Sequence, residues 1–375
     1  LGLYDYISML NAQSNLPFNN ANTQYIYQST LASPTKTWET IETSNIGIDL
    51  SAFNNRFVFT ADAYIKRNKN MLANLQVPSI IGVGLSSYNL GELETRGWEV
   101  SVTWKEMSRK PKYWATLNLS DNKNKLLRYE GKNIVQAGTV SLIEGMPINT
   151  IWGYKTDGLF QSDQKYVDYG VYIDPKTGGG DVKYLDLNGD KKIDIGKGTL
   201  EDHGDLVHLG DTNPRYLFGI SLGFKWNGFD FSAFLQGVGK RNFGMFTGDI
   251  WNSPYTVYSD AIANVLKEQL DYWTPENTQA FWPRPYVNGL QSYWPSDYWI
   301  QDAAYIRLKN IEIGFTIPQS LSQKAYINKA RVFFSGQDLW ETTKTLSYID
   351  PESPNNITYI YPFYRTMSIG LNITF

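Results

Sequence analysis

The sequence predicts an all-β chain, an antiparallel transmembrane β-barrel segment of about ten strands with long extracellular loops. Three observations lead there. Apolar and polar residues alternate over runs of about 10 to 13 residues, the length a tilted membrane strand needs; the strands of a soluble β-sandwich average about 5 or 6. Aromatic residues sit at strand ends, as at Trp98, Trp104, Tyr216 and Trp226, where a bilayer calls for interfacial girdles. Connections are either short, as at Asn227-Gly228 and Phe53-Asn54-Asn55, or very long, in the stretches 121–214 and 238–304. Outer-membrane barrels combine short periplasmic turns with long outer loops in this way. A soluble β-sandwich also fits antiparallel alternation and stays open on these grounds.

The strands follow from period-two patterning. Ile46, Ile48 and Leu50 alternate with Asn45, Gly47 and Asp49. Phe57, Phe59, Ala61, Ala63 and Ile65 alternate with Val58, Thr60, Asp62, Tyr64 and Lys66. Trp98, Val100, Val102 and Trp104 alternate with Glu99, Ser101, Thr103 and Lys105. From Arg215 to Trp226, the residues Tyr216, Phe218, Ile220, Leu222, Phe224 and Trp226 share one face. Asn227-Gly228, a strong hairpin dipeptide, leads into Phe229, Phe231, Ala233 and Leu235. Met367, Ile369, Leu371, Ile373 and Phe375 close the chain; a final Phe on an alternating strand resembles the terminal signal that barrel-assembly machinery reads. Weaker strands are expected at Tyr113 to Ser120, Ile151 to Phe160, Ile306 to Ile317 and Ala330 to Gln337.

Composition excludes several functions. The 375 residues carry 34 Lys+Arg against 37 Asp+Glu, so the near-neutral chain has no electrostatic footprint for nucleic acid. With no Cys there is no disulfide, thiolate metal site or catalytic thiol, and with 2 His there is no His-rich metal centre. Aromatics make up 15% of the residues, which argues against disorder. Mean hydropathy is -0.37, and no run of about 18 apolar residues marks a membrane helix; a barrel hides its lipid face in alternation. The chain opens Leu1-Gly2-Leu3-Tyr4-Asp5, without Met or a signal-peptide pattern, so a processed chain or a piece of a longer one is expected.

The two long loops differ in character. The stretch 174–214 is rich in Gly, Asp and Lys, whereas 240–304 is rich in Trp and Tyr. Tyr258 to Tyr272 has helical spacing, which predicts one short helix. So many rings must be covered, either by packing among themselves or by a ligand or partner. Trp251, Trp282 and Trp294 are the candidate substrate or lid contacts. Asp186, Asn188, Asp190 and Asp194 have oxygen ligands at positions 1, 3, 5 and 9, the start of a Ca²⁺ loop. Lys191 replaces the Gly expected at position 6, and Lys197 the Glu at position 12. A structural Ca²⁺ and a plain Asx-rich turn both fit; no cofactor is required.

No catalytic constellation is found. His203 and His208 lack zinc-protease spacing, and no G-x-S-x-G or P-loop occurs. Glu92 and Glu94 share a strand face, expected to be a polar, lumen-facing surface. An enzyme is not expected.

A series of strings resembles the C-terminal part of the SusC/RagA family of TonB-dependent outer-membrane transporters. They begin with Trp38-Glu39-Thr40 and Asn45-Ile46-Gly47-Ile48-Asp49, then Phe53-Asn54-Asn55-Arg56-Phe57 with Asp62-Ala63-Tyr64. Asn89-Leu90-Gly91-Glu92, Arg96-Gly97-Trp98-Glu99 and Gly210-Asp211-Thr212-Asn213-Pro214-Arg215 follow. Next come Gly228-Phe229-Asp230-Phe231 to Gln236-Gly237-Val238-Gly239, and Tyr272-Trp273-Thr274-Pro275-Glu276-Asn277. Ser296-Asp297-Tyr298-Trp299, Tyr305-Ile306-Arg307-Leu308-Lys309-Asn310 and Ser335-Gly336-Gln337-Asp338-Leu339 complete the order; family members commonly have Asn at the position of Asp338.

The resemblance implies a barrel of about 22 strands around a plug domain, of which residues 1–375 would form the C-terminal portion, with the plug, TonB box and N-terminal strands upstream. It implies import of oligosaccharides, or of peptides, in partnership with a SusD-like surface lipoprotein lid and the TonB complex. The location it implies is the outer membrane of a Gram-negative, Bacteroidetes-like cell. Open strand edges are not viable in lipid, so the chain is expected to work only with the missing N-terminal barrel and plug segment. Two other readings stand beside this one: a passive porin or surface adhesin, and a soluble carbohydrate-binding β-sandwich.

Overall fold

The computed structural model describes residues 7–8, 10–28, 30–33, 35–74, 80, 82–85, 87–138, 142–246, 267–286, 291–354 and 364–375. Eleven long strands organise it. Strands β1 (Leu10–Phe18) and β2 (Ala21–Gln28) form a hairpin sheet of their own. The other nine are β3 (Thr40–Ala52), β4 (Phe57–Asn74), β5 (Ser87–Glu106), β6 (Lys112–Tyr129), β7 (Arg215–Trp226), β8 (Phe229–Lys240), β9 (Tyr305–Thr316), β10 (Lys329–Thr343) and β11 (Thr366–Thr374). They lie in one sheet in chain order, each antiparallel to its neighbours.

Turn chemistry sets the hairpins at one end. Asn227 and Gly228 have φ of 47° and 89°, and Asn19 and Asn20 have φ of 50° and 60°. Two successive positive φ values make the primed turns whose twist matches paired strands, and Asn and Gly tolerate them best. The longest connections, 130–214, 241–304 and 344–365, lie at the other end.

Register carries each expected apolar set into a continuous face. Leu50 pairs with Phe59, Phe59 with Val102, Val102 with Leu117, and Leu117 with Ile220. Ile220 then pairs with Leu235, and farther across Ile313 meets Phe334, which meets Ile369. The face stays uncovered, with Ile46 74% and Ile369 83% exposed. A sandwich would bury this surface against a second sheet. Here it is exposed, as a face that meets lipid must be. The opposite face carries Thr60, Asp62, Glu99, Ser101, Asn118, Ser221, Ser232 and Ser335 in the same registers.

Three expectations change. The hairpin of β1 and β2 was not foreseen, because Asn, Gln and Ser interrupt its alternation and both its faces are largely exposed. Ile151 to Phe160 is no barrel strand. It divides into Thr150–Tyr154, paired with Leu206–Asp211, and Thr156–Leu159, paired with Val182–Tyr184. Every residue of the first piece is buried, so the segment belongs to a core. Strand β6 runs to Tyr129, so the first long loop begins at 130 instead of about 121, and the second begins at 241. Of the helix expected at Tyr258 to Tyr272, residues 258–266 lie outside the described residues; Lys267–Leu270 form one 3₁₀ turn.

Candidate functional site

The two long loops build a subdomain at the end of the sheet where the long connections gather. Its first core joins Val135, Ile143, Trp152, Tyr154, Phe160, Val182, Tyr184 and Leu206. The second joins Phe243, Met245, Trp282, Trp299, Ala303 and Ile349. Tyr298 packs against both, so the loops fold on each other. Burying each such side chain contributes about 1.5–3 kcal/mol, enough for polar-rich segments to hold a fixed surface.

Asp181 fastens the two loops together. It is 0% exposed and sits where the Gly178-Gly179-Gly180 run turns beneath the second loop. Its Oδ1 accepts from Ser292 Oγ at 2.6 Å; its Oδ2 accepts from Tyr286 OH at 2.7 Å and from Gly178 N–H at 2.9 Å. Arg284 stands 3.7 Å away. Burial pushes this carboxyl up to about 6, against the downward pull of the Ser292 and Gly178 hydrogen bonds and of Arg284. Burial likewise drives the Tyr184 phenol well above its ordinary value.

A second anchor ties residues 350–352 to the strands. Arg307, 3% exposed, meets Glu341 at 2.5 Å, Asp350 at 2.7 Å and Glu352 at 2.9 Å. Lys309 meets Asp338 at 3.0 Å and Glu352 at 3.2 Å. A cation with three carboxylates keeps a buried charge compensated.

The sequence-predicted residues fall in different places. Trp251 lies outside the described residues. Trp282 is 2% exposed, with its ring 5.2 Å from Phe281 and 5.7 Å from Trp299, so its visible contacts are packing. Trp294 is half-buried, stacked 5.2 Å from Tyr184 and tilted against Tyr154 at 5.6 Å. Phe375 is exposed beside Thr374, whose carbonyl accepts from Asn328 N–H.

The Asp186–Asp194 loop is a ladder of Asx turns. Asp186 accepts from Gly189 and Lys191 N–H, Asn188 from Asp190, Asp190 from Lys192, and Asp194 from Gly196. Buried Asp205 accepts from Leu187 and Asp194 N–H and holds the loop ends. Among the described residues no three His, Asp or Glu side chains converge as a metal site would. The two histidines flank Trp152, at 5.6 Å for His203 and 6.0 Å for His208.

Glu94 corrects an expectation. It does not face the polar side with Glu99; its position has the parity of Trp98 and Val100, on the apolar face. It is buried by two guanidinium partners, Arg67 at 3.0 Å and Arg96 at 2.7 Å. Sequence reading also missed Asp181 and Arg307 as anchors. The glycine run before Asp181 signals a tight turn, but its partners are 105 and 111 residues away.

Comparison with known proteins completes the picture. The family model described as TonB dependent receptor-like, beta-barrel matches residues 7–274. TonB-dependent receptor P26 of Formosa agariphila is 29% identical over 370 residues, covering 92% of this chain and 35% of its own length. TonB-dependent receptor SusC of Bacteroides thetaiotaomicron is 24% identical over 384 residues, covering 95% of this chain and 35% of its own length. This chain therefore spans about a third of the length of the curated relatives it matches. Among solved structures, that of the RagAB peptide transporter aligns with a TM-score of 0.73 at 21% identity, over 100% of this chain and 39% of that one. The RagAB peptide importer in its open-open state gives 0.70 at 20% identity, over 100% of this chain and 38% of that one. These likenesses show the fold.

Proposed function

Because the chain belongs to the TonB-dependent receptor family of β-barrels, we propose that it is the C-terminal barrel part of an outer-membrane active importer. It takes up oligosaccharides, with peptides as the alternative cargo, under a SusD-like surface lipoprotein lid and with energy delivered through the TonB complex. The plug, the TonB-contacting segment and the remaining strands belong to the N-terminal part of the same assembly. It has no catalytic role. The observation that carries this reading is the pairing of one apolar and one polar sheet face with a two-loop aromatic subdomain at one end. The apolar face suits lipid, the polar face suits a solvated path, and the subdomain offers a fixed surface to cargo or lid. Relationship to SusC supports a nutrient importer, and the RagAB fold supports the two-component form.

Uptake of labelled oligosaccharides and of labelled peptides, in cells with and without TonB, tests it. One cargo class is expected to enter only when TonB is present. Uptake that survives TonB deletion excludes active transport and leaves a passive porin or an adhesin.

A further inference from the structure

On the outward face, just beyond the apolar rows, strands β4, β5 and β6 bring four cations together. Arg67 pairs in register with Glu94, Glu94 with Lys125, and Arg96 with Lys123. These positions continue the face of Ala63, Ile65, Trp98 and Val100 toward the long-loop end of the sheet. Glu94 lies among them and is spent on both arginines through their Nε atoms; Glu42, in register opposite Arg67, is engaged by Lys69. Among the described residues, the Nη atoms of Arg67 and Arg96 make no hydrogen bond, and their side chains are 48% and 65% exposed. Lys123 and Lys125 are exposed and in no ion pair among the described residues.

The cations around this cluster are neutralised locally: Lys69 meets Glu42 at 2.6 Å, Arg128 meets Glu130 at 3.5 Å, and Arg215 meets Asp121. The cluster itself is not. Arg96 and Lys123 stand directly opposite each other, an arrangement that destabilises a sheet unless an anion lies between them. Glu94 engages both guanidinium groups through Nε and leaves their Nη atoms available on exposed side chains. Guanidinium groups match phosphate oxygens better than a point charge does. Trp98, one pleat nearer the apolar rows, places the cluster at the level where headgroups begin.

We infer that Arg67, Arg96, Lys123 and Lys125 form a binding site for the phosphate of a phosphorylated glycolipid in the outer leaflet. The inference rests on the membrane-spanning reading of the sheet. The occupant is a lipid headgroup because the four cations border the lipid-facing rows on the outward side and not the polar face. Basic clusters at a membrane interface attract anionic headgroups in this way.

The complete transporter, purified from outer membranes in mild detergent, is assayed for co-purifying glycolipid by native mass spectrometry. The variant Arg67→Gln/Arg96→Gln/Lys123→Gln/Lys125→Gln is compared with a control of equal charge change at the short-turn end, Lys110→Gln/Lys112→Gln/Lys225→Gln/Lys329→Gln. Bound glycolipid is expected to fall about ten-fold or more in the first and to hold in the second. Equal retention in the first variant, or an equal loss in the control, overturns the site. Displacement of the glycolipid by inorganic phosphate at low concentration overturns the lipid source. Should the quadruple variant fail to insert, Lys123→Gln alone serves. It removes a repulsion, so it folds, and it is expected to lower retention several-fold; unchanged retention overturns the site. Lipid is weighed on the purified protein, so the result stands whether or not uptake needs TonB.

Discussion

Replacing Asp181 with Asn tests whether a buried carboxyl sets the pH response of the loop subdomain. The folded carboxyl lies at about 6 against an ordinary 3.8. At about 1.4 kcal/mol per pH unit, ionising it in place costs about 3 kcal/mol. The sign follows from linkage: a raised carboxyl contributes stability that is full below its ordinary value and is lost as pH rises through about 6. Asn keeps the shape and loses the charge. Its oxygen replaces Oδ2, accepting from Gly178 N–H and Tyr286 OH, and its NH₂ donates to Ser292 Oγ in place of Oδ1. The attraction of Arg284 is already contained in that raised value, so its loss takes nothing further from the difference. The net expectation at pH 8 is a gain of about 3 kcal/mol, roughly 100-fold in local opening. Hydrogen exchange of the amides in Val182–Tyr184, corrected for intrinsic rates, reads it on the intact protein. Wild-type protection is expected to fall between pH 5 and pH 8, and Asp181→Asn protection to stay level and higher at pH 8. Wild-type protection that rises across this range, or a variant less protected than wild type at pH 8, refutes the reasoning.

Trp299→Ala removes a fully buried indole that donates to Ser292 O at 2.9 Å; a loss of about 3–5 kcal/mol is expected, read as protease cleavage in 241–304 while the sheet keeps its heat-modifiable mobility on gels. After chelator washing, calorimetric titration with Ca²⁺ is expected to show no heat of binding, because the carboxylates of the Asp186–Asp194 loop are spent on backbone N–H groups; heat that Asp190→Ala abolishes would establish an ion there. Gly223→Val places branched carbons inside the Trp114 ring and is expected to cost about 1–3 kcal/mol, seen as a lower yield of folded protein in the outer membrane. Trp251→Ala is expected to weaken cargo or lid affinity with the loops still folded, by surface binding measurements on the reconstituted complex; unchanged affinity removes Trp251 from the contact.

The strands that meet lipid were legible because lipid imposes period two on one face. Phe57 to Ile65 and Trp98 to Trp104 therefore fell in register as read. The loops were not legible to the same degree, because a compact subdomain buries residues with no fixed period. Ile151 to Tyr154 alternates weakly and yet is buried throughout. Charge misled in the opposite direction. Glu94 reads as a lumenal carboxylate until its parity with Trp98 is counted; two guanidinium groups make the outward position tolerable. Asp181 could not be located at all, since its partners come from the other loop and only chain folding brings them near.

Large side chains on the polar face show a further limit of counting alternation. Tyr64, Trp114 and Phe333 break the polar set, yet each stands opposite a glycine in register: Gly97, Gly223 and Gly370. A Cβ on any of these glycines would overlap the facing ring, so each ring lies across the bare backbone of its neighbour. Glycine weakens a strand when nothing packs over it; here the ring supplies the cover and shields the ladder hydrogen bonds. The ring also projects less from the wall than it would against a bulky partner. Lys225 adds a cation 6.0 Å over Trp114, holding the indole down from the other side. The aromatic and the glycine are thus one unit spread over two strands. Read singly, the first looks like a misplaced lipid-facing residue and the second like a strand breaker. Read across the register, they let the polar face carry large rings while keeping its surface low and open.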